Sequence, residues 1–342
     1  MRVGIIGTGA IANKHAEAYR NVGFEVAACS DQVERFGREF AARWNAQFVA
    51  GYGELCRWPG LDFVDVCTFP DFRLEPVEAC AAAGRSVLVQ KPMATNLAAA
   101  KRMMEVAGQA GIVLGVASQR RYDDSTTFLK RAIPAGRLGR LLEADAYVKW
   151  FRGDDYYSRP IKGSWHTEGG GALINQAIHQ VDQLLYLAGG VRSVSGLWQL
   201  GALHKIESED VLCAVLEYAS GATGVIQAST ALWPGYPERV EIHGTKGTAI
   251  LSGDQLTSWD VMDDEEASAA DPAPVNHQVS SGASDPMAIS LTPFERQFLD
   301  FGEAVRTGGE PRISAGAGYR SLELIMAIYD SCREGTRVQL GN

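Results

Sequence analysis

The sequence lacks long apolar runs, paired cysteines and basic clusters interleaved with aromatic residues. No apolar segment approaches the roughly 20 residues of a membrane-spanning helix, so no membrane partner is expected. The six cysteines are scattered and none forms a Cys-x-x-Cys pair, which argues against a zinc ribbon or a disulfide framework. A net charge of −9 without a basic patch argues against nucleic acid as a partner.

The N-terminus starts directly with a strand-like run. It has no charged leader followed by a long apolar region, so we expect no signal peptide. Scattered, unpaired cysteines are typical of a reducing compartment. The sequence therefore predicts a cytoplasmic protein.

The first third of the chain alternates strand-like and helical patterns. Apolar runs such as Arg2–Ile6 and Ser86–Val89 are separated by helical segments such as Ala10–Asn21 and Leu97–Ala110. This alternation predicts a doubly wound α/β fold, a parallel sheet wrapped by helices. Because 342 residues suffice for two domains, we place this first domain over residues 1–118.

The first strand runs into a Gly-x-Gly-x-x-Ala motif, with a helical pattern directly after it. The motif consists of Gly7, Thr8, Gly9, Ala10, Ile11 and Ala12. In such a motif Gly7 permits the tight turn, Gly9 lets a pyrophosphate approach the backbone, and small Ala12 lets helix and strand pack closely. The motif in this context predicts a Rossmann domain that holds a dinucleotide cofactor.

An acidic residue, Asp31, closes the second predicted strand, 19 residues after Ala12. A carboxylate there can accept hydrogen bonds from the adenosine ribose hydroxyls, and it repels a 2′-phosphate. We therefore predict NAD, with NADP as the alternative because Arg35 lies close in sequence. Gln32 is included in the predicted cofactor site, and a turn or helix-capping role is the structural alternative for Asp31.

Two further loops follow strands of the predicted parallel sheet, where ligands gather in such folds. One contains Thr68 and Phe69, and the other contains Gln90, Lys91 and Pro92. All five residues are included in the predicted cofactor site. A lysine at a strand end can also hydrogen-bond a substrate hydroxyl and stabilise negative charge on its oxygen. The proline restricts the backbone beside it, which favours a positioned lysine over a mobile one.

Beyond residue 118 the pattern changes to longer β-prone stretches. We expect residues 119–342 to form a second α/β domain with a large open sheet, mixed or antiparallel. Its closing helices, residues 293–333, could pack back on the first domain. The open face of the sheet, on which we place Trp198, Leu212 and Val225, is the predicted contact of a homodimer or homotetramer.

The most informative stretch runs from Gly169 to Asp182. Three glycines, which give the backbone unusual freedom, precede a helical pattern in which Asn175 and His179 share one face. A histidine beside a polar partner is a candidate proton-transfer group. A metal site through His179 and Asp182 would need a third ligand, which the spacing does not supply, so no metal is predicted.

The segment Trp150–Trp165 is rich in Arg, Asp, Tyr and Trp. Aromatic faces beside hydrogen-bonding groups suit a polyhydroxylated ligand. A surface loop packed at the boundary of the two predicted domains is the equally weighted alternative.

Taken in order, the glycine loop, the Gln-Lys-Pro triplet and the Gly169–Asp182 segment resemble the Gfo/Idh/MocA family of nicotinamide-dependent oxidoreductases. The resemblance implies a Rossmann domain followed by an open-sheet α/β domain, and a sugar, glycoside or polyol as substrate. Gln90 stands where the family usually has glutamate, Asn175 where it often has aspartate, and Arg73 where histidine is common.

The resemblance also implies roles. His179 would be the general acid/base for a substrate hydroxyl while hydride passes between the same carbon and nicotinamide. Lys91 would bind and stabilise the hydroxyl oxygen, and Asn175 would hold an adjacent hydroxyl. Three further residues are expected to border the cofactor or the substrate: Gln119, Tyr122 and Trp165.

Two alternatives remain open at this stage. One is a glycosidase that oxidises a sugar carbon transiently with bound NAD, eliminates, and reduces the carbon again. The other is a non-catalytic, cofactor-sensing regulator on the same scaffold. Such a regulator would tend to lose Lys91 and His179, and this chain keeps both.

Overall fold

The structure, a computed structural model, describes residues 1–159, 161–263, 265–283 and 290–341. The chain divides into two compact units, Met1–Gln119 with Leu291–Tyr319 and Arg120–Ser290 with Arg320–Asn342. Residues 291–319 thus belong to the first unit although they follow the second sheet in sequence. None of the described helices is long and apolar enough to cross a membrane.

The first unit is built on a six-stranded sheet in which every pairing is parallel. Its strands are β1 (Arg2–Ile6), β2 (Glu25–Ser30), β3 (Gln47–Phe48), β4 (Phe63–Val66), β5 (Ser86–Gln90) and β6 (Leu114–Ala117). The order β3-β2-β1-β4-β5-β6 is that of a doubly wound dinucleotide-binding fold. The predicted fold class of this part is confirmed.

Five helices alternate with these strands. They are α1 (Ala10–Asn21), α2 (Glu34–Trp44), α3 (Tyr52–Cys56), α4 (Leu74–Ala82) and α5 (Leu97–Ala110). Neither β3 nor α3 was predicted, because segments this short carry no readable periodicity. The longest of the five, α5, is capped by the Asn96 side chain, which accepts from the amide of Ala99 at 2.9 Å.

The second unit is built on an eight-stranded sheet. Its strands are β7 (Leu141–Lys149), β8 (Val191–Leu200), β9 (Glu209–Tyr218), β10 (Thr223–Ser229), β11 (Arg239–Gly244), β12 (Gly247–Ser252), β13 (Gln255–Val261) and β14 (Val338–Gln339). Strands β7 and β10 pair in parallel, and the other described pairings are antiparallel. The mixed form of the predicted sheet is confirmed.

The remaining helices follow in chain order. They are α6 (Asp124–Ala132), α7 (Asp154–Tyr157), α8 (Trp165–Glu168), α9 (Ile178–Ala188), α10 (Glu265–Ala270), α11 (Thr292–Thr307) and α12 (Ala315–Glu334). A π-helical turn, Leu173–Ala177, leads directly into α9. Helix α9 packs on β7 and β11, so it covers one face of the second sheet.

Helix α11 completes the aromatic core of the first unit. Its Phe298 stacks on Tyr19 of α1, with ring centroids 4.1 Å apart. Its Phe301 packs edge-on against Phe63 of β4, at 5.1 Å. Buried aromatic rings contribute much of the apolar area of a core. These contacts are why residues 291–319 belong to the first unit.

The two faces of the second sheet differ from the prediction. Leu212 is 1% exposed, and Trp198 packs against Tyr329 of α12, so both lie on the covered face. The prediction that Trp198 and Leu212 lie on the open face was therefore wrong. Val225 does lie on the open face, beside its strand partner Val215, which is 58% exposed. Opposite residues on paired strands share a face, and Trp198 pairs with Leu212, so both were misplaced together.

Candidate active site

The glycine loop lies at the carboxyl end of β1, a central strand of the first sheet. Gly7 has a φ of +85°, and a Cβ there would meet the amide nitrogen of Thr68 at 2.9 Å, so this turn requires glycine. A Cβ at Gly9 would meet none of the described atoms within 4 Å. Packing among the described residues therefore does not explain Gly9, and the approach of a cofactor phosphate to this position stays a prediction.

Asp31 lies beside this loop and hydrogen-bonds to it. The amide and hydroxyl of Thr8 both donate to Oδ2 at 2.7 Å, and the amide of Val33 donates to Oδ1 at 2.9 Å. The carboxylate thus stabilises the turn, as the structural alternative for Asp31 predicted. Its binding to the ribose stays a prediction. Arg35, the candidate partner of a 2′-phosphate, is 74% exposed and lies 3.5 Å from Glu39.

Lys91 directly follows β5, so it lies at the same edge of the parallel sheet as the glycine loop. Its amide donates to Oε1 of Gln90 at 2.6 Å, and its peptide bond to Pro92 is cis. The hydrogen bond fixes the backbone from which the lysine side chain starts.

Arg73, at the position where the family often has histidine, joins two loops of this edge. Its guanidinium donates to the carbonyl oxygen of Thr68 at 3.0 and 2.7 Å, and to the carbonyl oxygen of Pro92. Burial lowers the pKa of Arg73 to about 9. Sequence reasoning missed this link, because its acceptors are backbone carbonyls, which leave no residue pattern.

The other predicted cofactor residues differ in exposure. Phe69 is 52% exposed and Gln32 is also exposed, whereas Gln119 is 3% exposed. The Thr68 hydroxyl donates to the carbonyl oxygen of Phe72 at 2.6 Å. Phe69 and Gln32 are thus open to a ligand, while Gln119 presents little surface. All of these assignments remain predictions.

In the second unit Gly170 and Gly171 are required for close packing. A Cβ at Gly170, whose φ is +150°, would overlap the Tyr329 hydroxyl, and a Cβ at Gly171 would overlap the carbonyl oxygen of Glu209. The expected role of these glycines, backbone freedom, is therefore incomplete, because Gly171 leaves no room for a side chain.

A buried carboxylate holds the start of the π-helical turn. The amides of Gly171 and Leu173 donate to Glu209 at 2.8 and 2.9 Å, and the Tyr329 hydroxyl donates to it at 2.7 Å. Burial raises the pKa of Glu209 to about 7, although these donors favour its charged form. Sequence reasoning missed this pair, since its members come from β9 and α12.

Asn175 lies on the π-helical turn and His179 in the first turn of α9. Both are half-buried, whereas residues 176–178 between them are buried, so the two side chains lie on the same side. Turns of π-helix occur frequently at functional sites. The arrangement presents an amide and an imidazole together.

Asp182, although one turn beyond His179, has other partners. Its two oxygens accept from Arg121 at 2.8 and 2.6 Å, and the Ser321 hydroxyl donates to it at 2.9 Å. Its carboxylate thus forms a buried ion pair within the second unit. Asp182 is a structural residue.

The other two predicted substrate residues are largely held by protein contacts. Tyr122 is 3% exposed. The indole N–H of Trp165 donates to the carbonyl oxygen of Glu207 at 3.0 Å, and its ring lies 5.4 Å from that of Trp198. These contacts indicate structural roles, and substrate contacts by Tyr122 and Trp165 remain predictions.

Sequence reasoning missed a cluster of polar side chains that contact one another and include Gln176, the neighbour of Asn175 in the chain. Gln176 donates to the Tyr156 hydroxyl at 2.9 Å. The Lys162 ammonium lies 5.0 Å from the Tyr156 ring centroid and pairs with buried Glu168. The sequence feature that pointed to this cluster was the composition of Trp150–Trp165. Composition alone did not indicate which side chains contact one another.

Comparison with known proteins identifies the class and then the family. Residues 1–118 match the model of an oxidoreductase family with an NAD-binding Rossmann fold. Residues 126–250 match the model of the GFO/IDH/MocA C-terminal domain. The chain belongs to the Gfo/Idh/MocA family, so the resemblance in the sequence is confirmed.

Individual relatives support the same class. The myo-inositol 2-dehydrogenase of Thermotoga maritima is 28% identical, over 99% of this chain and 98% of that protein. The scyllo-inositol 2-dehydrogenase (NAD(+)) of Bacillus subtilis is 26% identical, over 84% of this chain and 80% of that protein. The WlbA dehydrogenase of Bordetella pertussis, solved with NADH and UDP-GlcNAcA, has a TM-score of 0.89 and 27% identity, covering 100% of this chain and 98% of that one. The predicted enzyme class and the NAD cofactor are confirmed, which rules against the non-catalytic regulator.

Proposed function

We propose that this enzyme transfers hydride between NAD and a hydroxyl-bearing carbon of a sugar, glycoside or polyol. The observation that carries the proposal is the position of Lys91 at the carboxyl end of β5, in the same parallel sheet whose β1 ends in the glycine loop. Ligands of open parallel sheets bind at the carboxyl ends of the strands. When bound, NAD accepts or supplies the hydride.

The roles of the side chains follow from their chemistry. His179 takes the proton of the substrate hydroxyl during oxidation and returns it during reduction. Lys91 donates a hydrogen bond to the same oxygen and stabilises its developing negative charge. Asn175 holds an adjacent hydroxyl. The half-buried positions of Asn175 and His179 support these roles.

The substrate class is supported by the group around Tyr156. An aromatic ring, the Lys162 ammonium and the Gln176 amide lie together, as recognition of several hydroxyls requires. Inositols are the named substrates of two relatives. No described residue favours the transient-oxidation glycosidase.

We also propose a homo-oligomer assembled through the open face of the second sheet, in the cytoplasm. Leu197 and Val215, both on this face, are 77% and 58% exposed. All six cysteines are free, as a reducing compartment requires.

The test is turnover of a panel of inositols, aldoses and glycosides, followed by NADH absorbance. His179→Ala should lower kcat by roughly 10² or more, because the general base is lost. Lys91→Ala should lower it by roughly 10² to 10³, because the oxygen loses its donor.

His277→Ala and Lys101→Ala, at exposed positions, serve as matched controls and should keep wild-type turnover. Near-normal turnover of both His179→Ala and Lys91→Ala would reject the assignment. Release of free sugar without net NADH would instead establish the glycosidase.

A further inference from the structure

A chain of buried polar groups runs through the first unit to the backbone of Lys91. The Lys91 amide donates to Oε1 of Gln90 at 2.6 Å, and Nε2 of Gln90 lies 3.2 Å from Nε2 of His15. Nδ1 of His15 lies 2.7 Å from Oδ2 of Asp65. His15 and Asp65 are fully buried and Gln90 is 6% exposed, so water does not compete for these bonds.

The direction of every bond in this chain follows from its two ends. A backbone N–H only donates, so the Gln90 atom facing Lys91 must be its carbonyl oxygen. The Gln90 amide nitrogen then faces His15 and donates to it, so Nε2 of His15 is an acceptor. The ring proton therefore lies on Nδ1 and points at Asp65. The Lys91 amide thus fixes the orientation of Gln90, and Gln90 fixes the tautomer of His15.

Two more donors complete the carboxylate. The Tyr19 hydroxyl donates to Asp65 at 2.8 Å and the Cys67 thiol at 3.4 Å. Burial, with the nearby Asp65 charge adding to it, raises the pKa of Tyr19 and of Cys67 well above their ordinary values. Both therefore stay protonated and donate to Asp65, which also accepts from Nδ1 of His15 and so orients the ring.

Apolar rings enclose the imidazole. Phe294 and Phe298 of α11 lie 5.3 and 4.9 Å from the His15 ring centroid. His15 is 0% exposed, so its two ring nitrogens have protein groups as their partners. A carboxylate at position 90 would face the Nε2 acceptor, so one proton would have to lie either on Nε2 or on the carboxyl group itself.

We propose that Gln90 is the positioning residue of Lys91, held in one orientation by a neutral, Nδ1-protonated His15 anchored on Asp65. The proposal rests on the function proposed above, in which Lys91 stabilises the substrate oxygen. The neutral amide at position 90 fixes the lysine backbone without placing a second charge in the buried chain.

The first experiment reads the histidine directly, without activity. Long-range ¹H–¹⁵N correlations of ¹⁵N-histidine-labelled enzyme report the protonation of each ring, with His15 assigned through His15→Gln. Wild type should show the Nδ1–H tautomer of His15 from pH 6 to 9, and Gln90→Glu at pH 6 should show an Nε2 resonance shifted by the proton that it shares with the new carboxyl group. A wild-type ring protonated on Nε2 would overturn the proposal.

The second experiment reads the effect on Lys91. Gln90→Met removes both hydrogen bonds of the side chain, whereas Gln90→Glu keeps the acceptor for the Lys91 amide. Hydrogen exchange should show the Lys91 amide protected in wild type and in Gln90→Glu at pH 6, and unprotected in Gln90→Met. Equal protection in all three proteins would overturn the proposal.

Steady-state kinetics then distinguish a loss of Lys91 positioning from a general loss of enzyme structure. Gln90→Met should lower kcat roughly 10-fold to 100-fold, because a misplacement of about 1 Å has that effect. The change in kcat should exceed the change in KM for NAD, and Gln90→Glu at pH 6 should recover most of kcat. Gln109→Met, at an exposed position of α5, is the matched control.

The outcomes are distinguishable from failure of the proposed function. If no sugar or polyol is oxidised by wild type, the proposed function fails, and the exchange and NMR experiments still decide whether Gln90 positions Lys91. If Gln90→Met does not fold, Gln90→Glu carries the test. Protection of the Lys91 amide from hydrogen exchange should then decrease with rising pH in Gln90→Glu relative to wild type. The same pH dependence of this protection in both proteins would reject the proposal.

Discussion

Asp31 illustrates how one residue serves both the fold and the proposed cofactor site. Its two oxygens accept from Thr8 and Val33, which ties the end of β2 to the glycine loop. The same carboxylate places a negative charge where an adenosine ribose is expected. One side chain therefore holds the loop and is predicted to discriminate against a 2′-phosphate.

We predict that Asp31→Ser shifts the cofactor preference toward NADP. Removing the carboxylate removes its repulsion of the 2′-phosphate, so the NADP-to-NAD ratio of kcat/KM should rise at least roughly tenfold, which corresponds to about 1.4 kcal/mol. Steady-state kinetics with both cofactors measure the ratio.

Arg35→Ala is the matched control for that substitution. Arg35 is exposed and paired with Glu39, so its loss should change the ratio by less than about threefold, as expected of a screened surface charge. A wild-type enzyme at least tenfold more efficient with NADP would contradict the assignment of Asp31.

At the scale of elements, the segment before α9 depends on glycines and on a buried carboxylate together. Glycines allow the backbone to approach Glu209 and Tyr329, and the Glu209 carboxylate then accepts two amides at the start of the π-helical turn. Orphan amides at the start of a helix need such an acceptor. The position of Asn175 and His179 therefore depends on β9 and α12 as well as on their own helix.

Glu209 should make the stability of this protein depend on pH. Its folded pKa, about 7, lies above the ordinary value of 4.5, so its contribution is fully present below about pH 4.5 and is lost as the pH rises through 7. The side chain introduced by Glu209→Gln cannot ionise. Its NH2 group would face one of the two backbone N–H groups that donate to Glu209, and this unsatisfied pair of donors should cost about 1–3 kcal/mol of folding stability. Wild type should therefore exceed Glu209→Gln in unfolding free energy at pH 5.5, and the gap should narrow by pH 8.5.

Urea unfolding of both proteins at the two pH values measures this gap. Glu310→Gln, at an exposed position, should show the wild-type pH dependence. A gap that stays constant or widens toward pH 8.5 would contradict the role of Glu209.

At the scale of the whole molecule, the open face of the second sheet carries exposed apolar side chains. Leu197 and Val215 on this face are strongly exposed, and Val225 lies beside Val215. Contiguous apolar surface of this kind marks interaction sites in soluble proteins. A second copy of the chain is the proposed occupant of the face.

We expect Val215→Asp, alone or with Leu197→Asp, to dissociate the wild-type oligomer, because a buried, unpaired carboxylate is expensive at an apolar interface. Analytical ultracentrifugation measures the mass. Leu299→Asp, a similarly exposed leucine on α11, should leave the mass unchanged. A monomeric wild type, or variants that keep the wild-type mass, would exclude assembly through this face.

The sequence by itself determined the features whose signal is local. Gly7, Asp31 and Lys91 stand at recognisable distances from strand-like runs, and Asn175 and His179 share a helical spacing, so motif and periodicity were enough. The parallel first sheet followed from alternation alone, and the family resemblance rested on the same motifs.

Only the tertiary structure decided what depends on partners far apart in the chain. His15 meets Asp65 across 50 residues and Glu209 meets Tyr329 across 120, and no local pattern encodes either pair. The face of Trp198 depended on its register with β9, since a slip of one residue reverses the side of a strand. The sequence thus predicted the candidate reacting groups, and long-range packing decided what holds them in place.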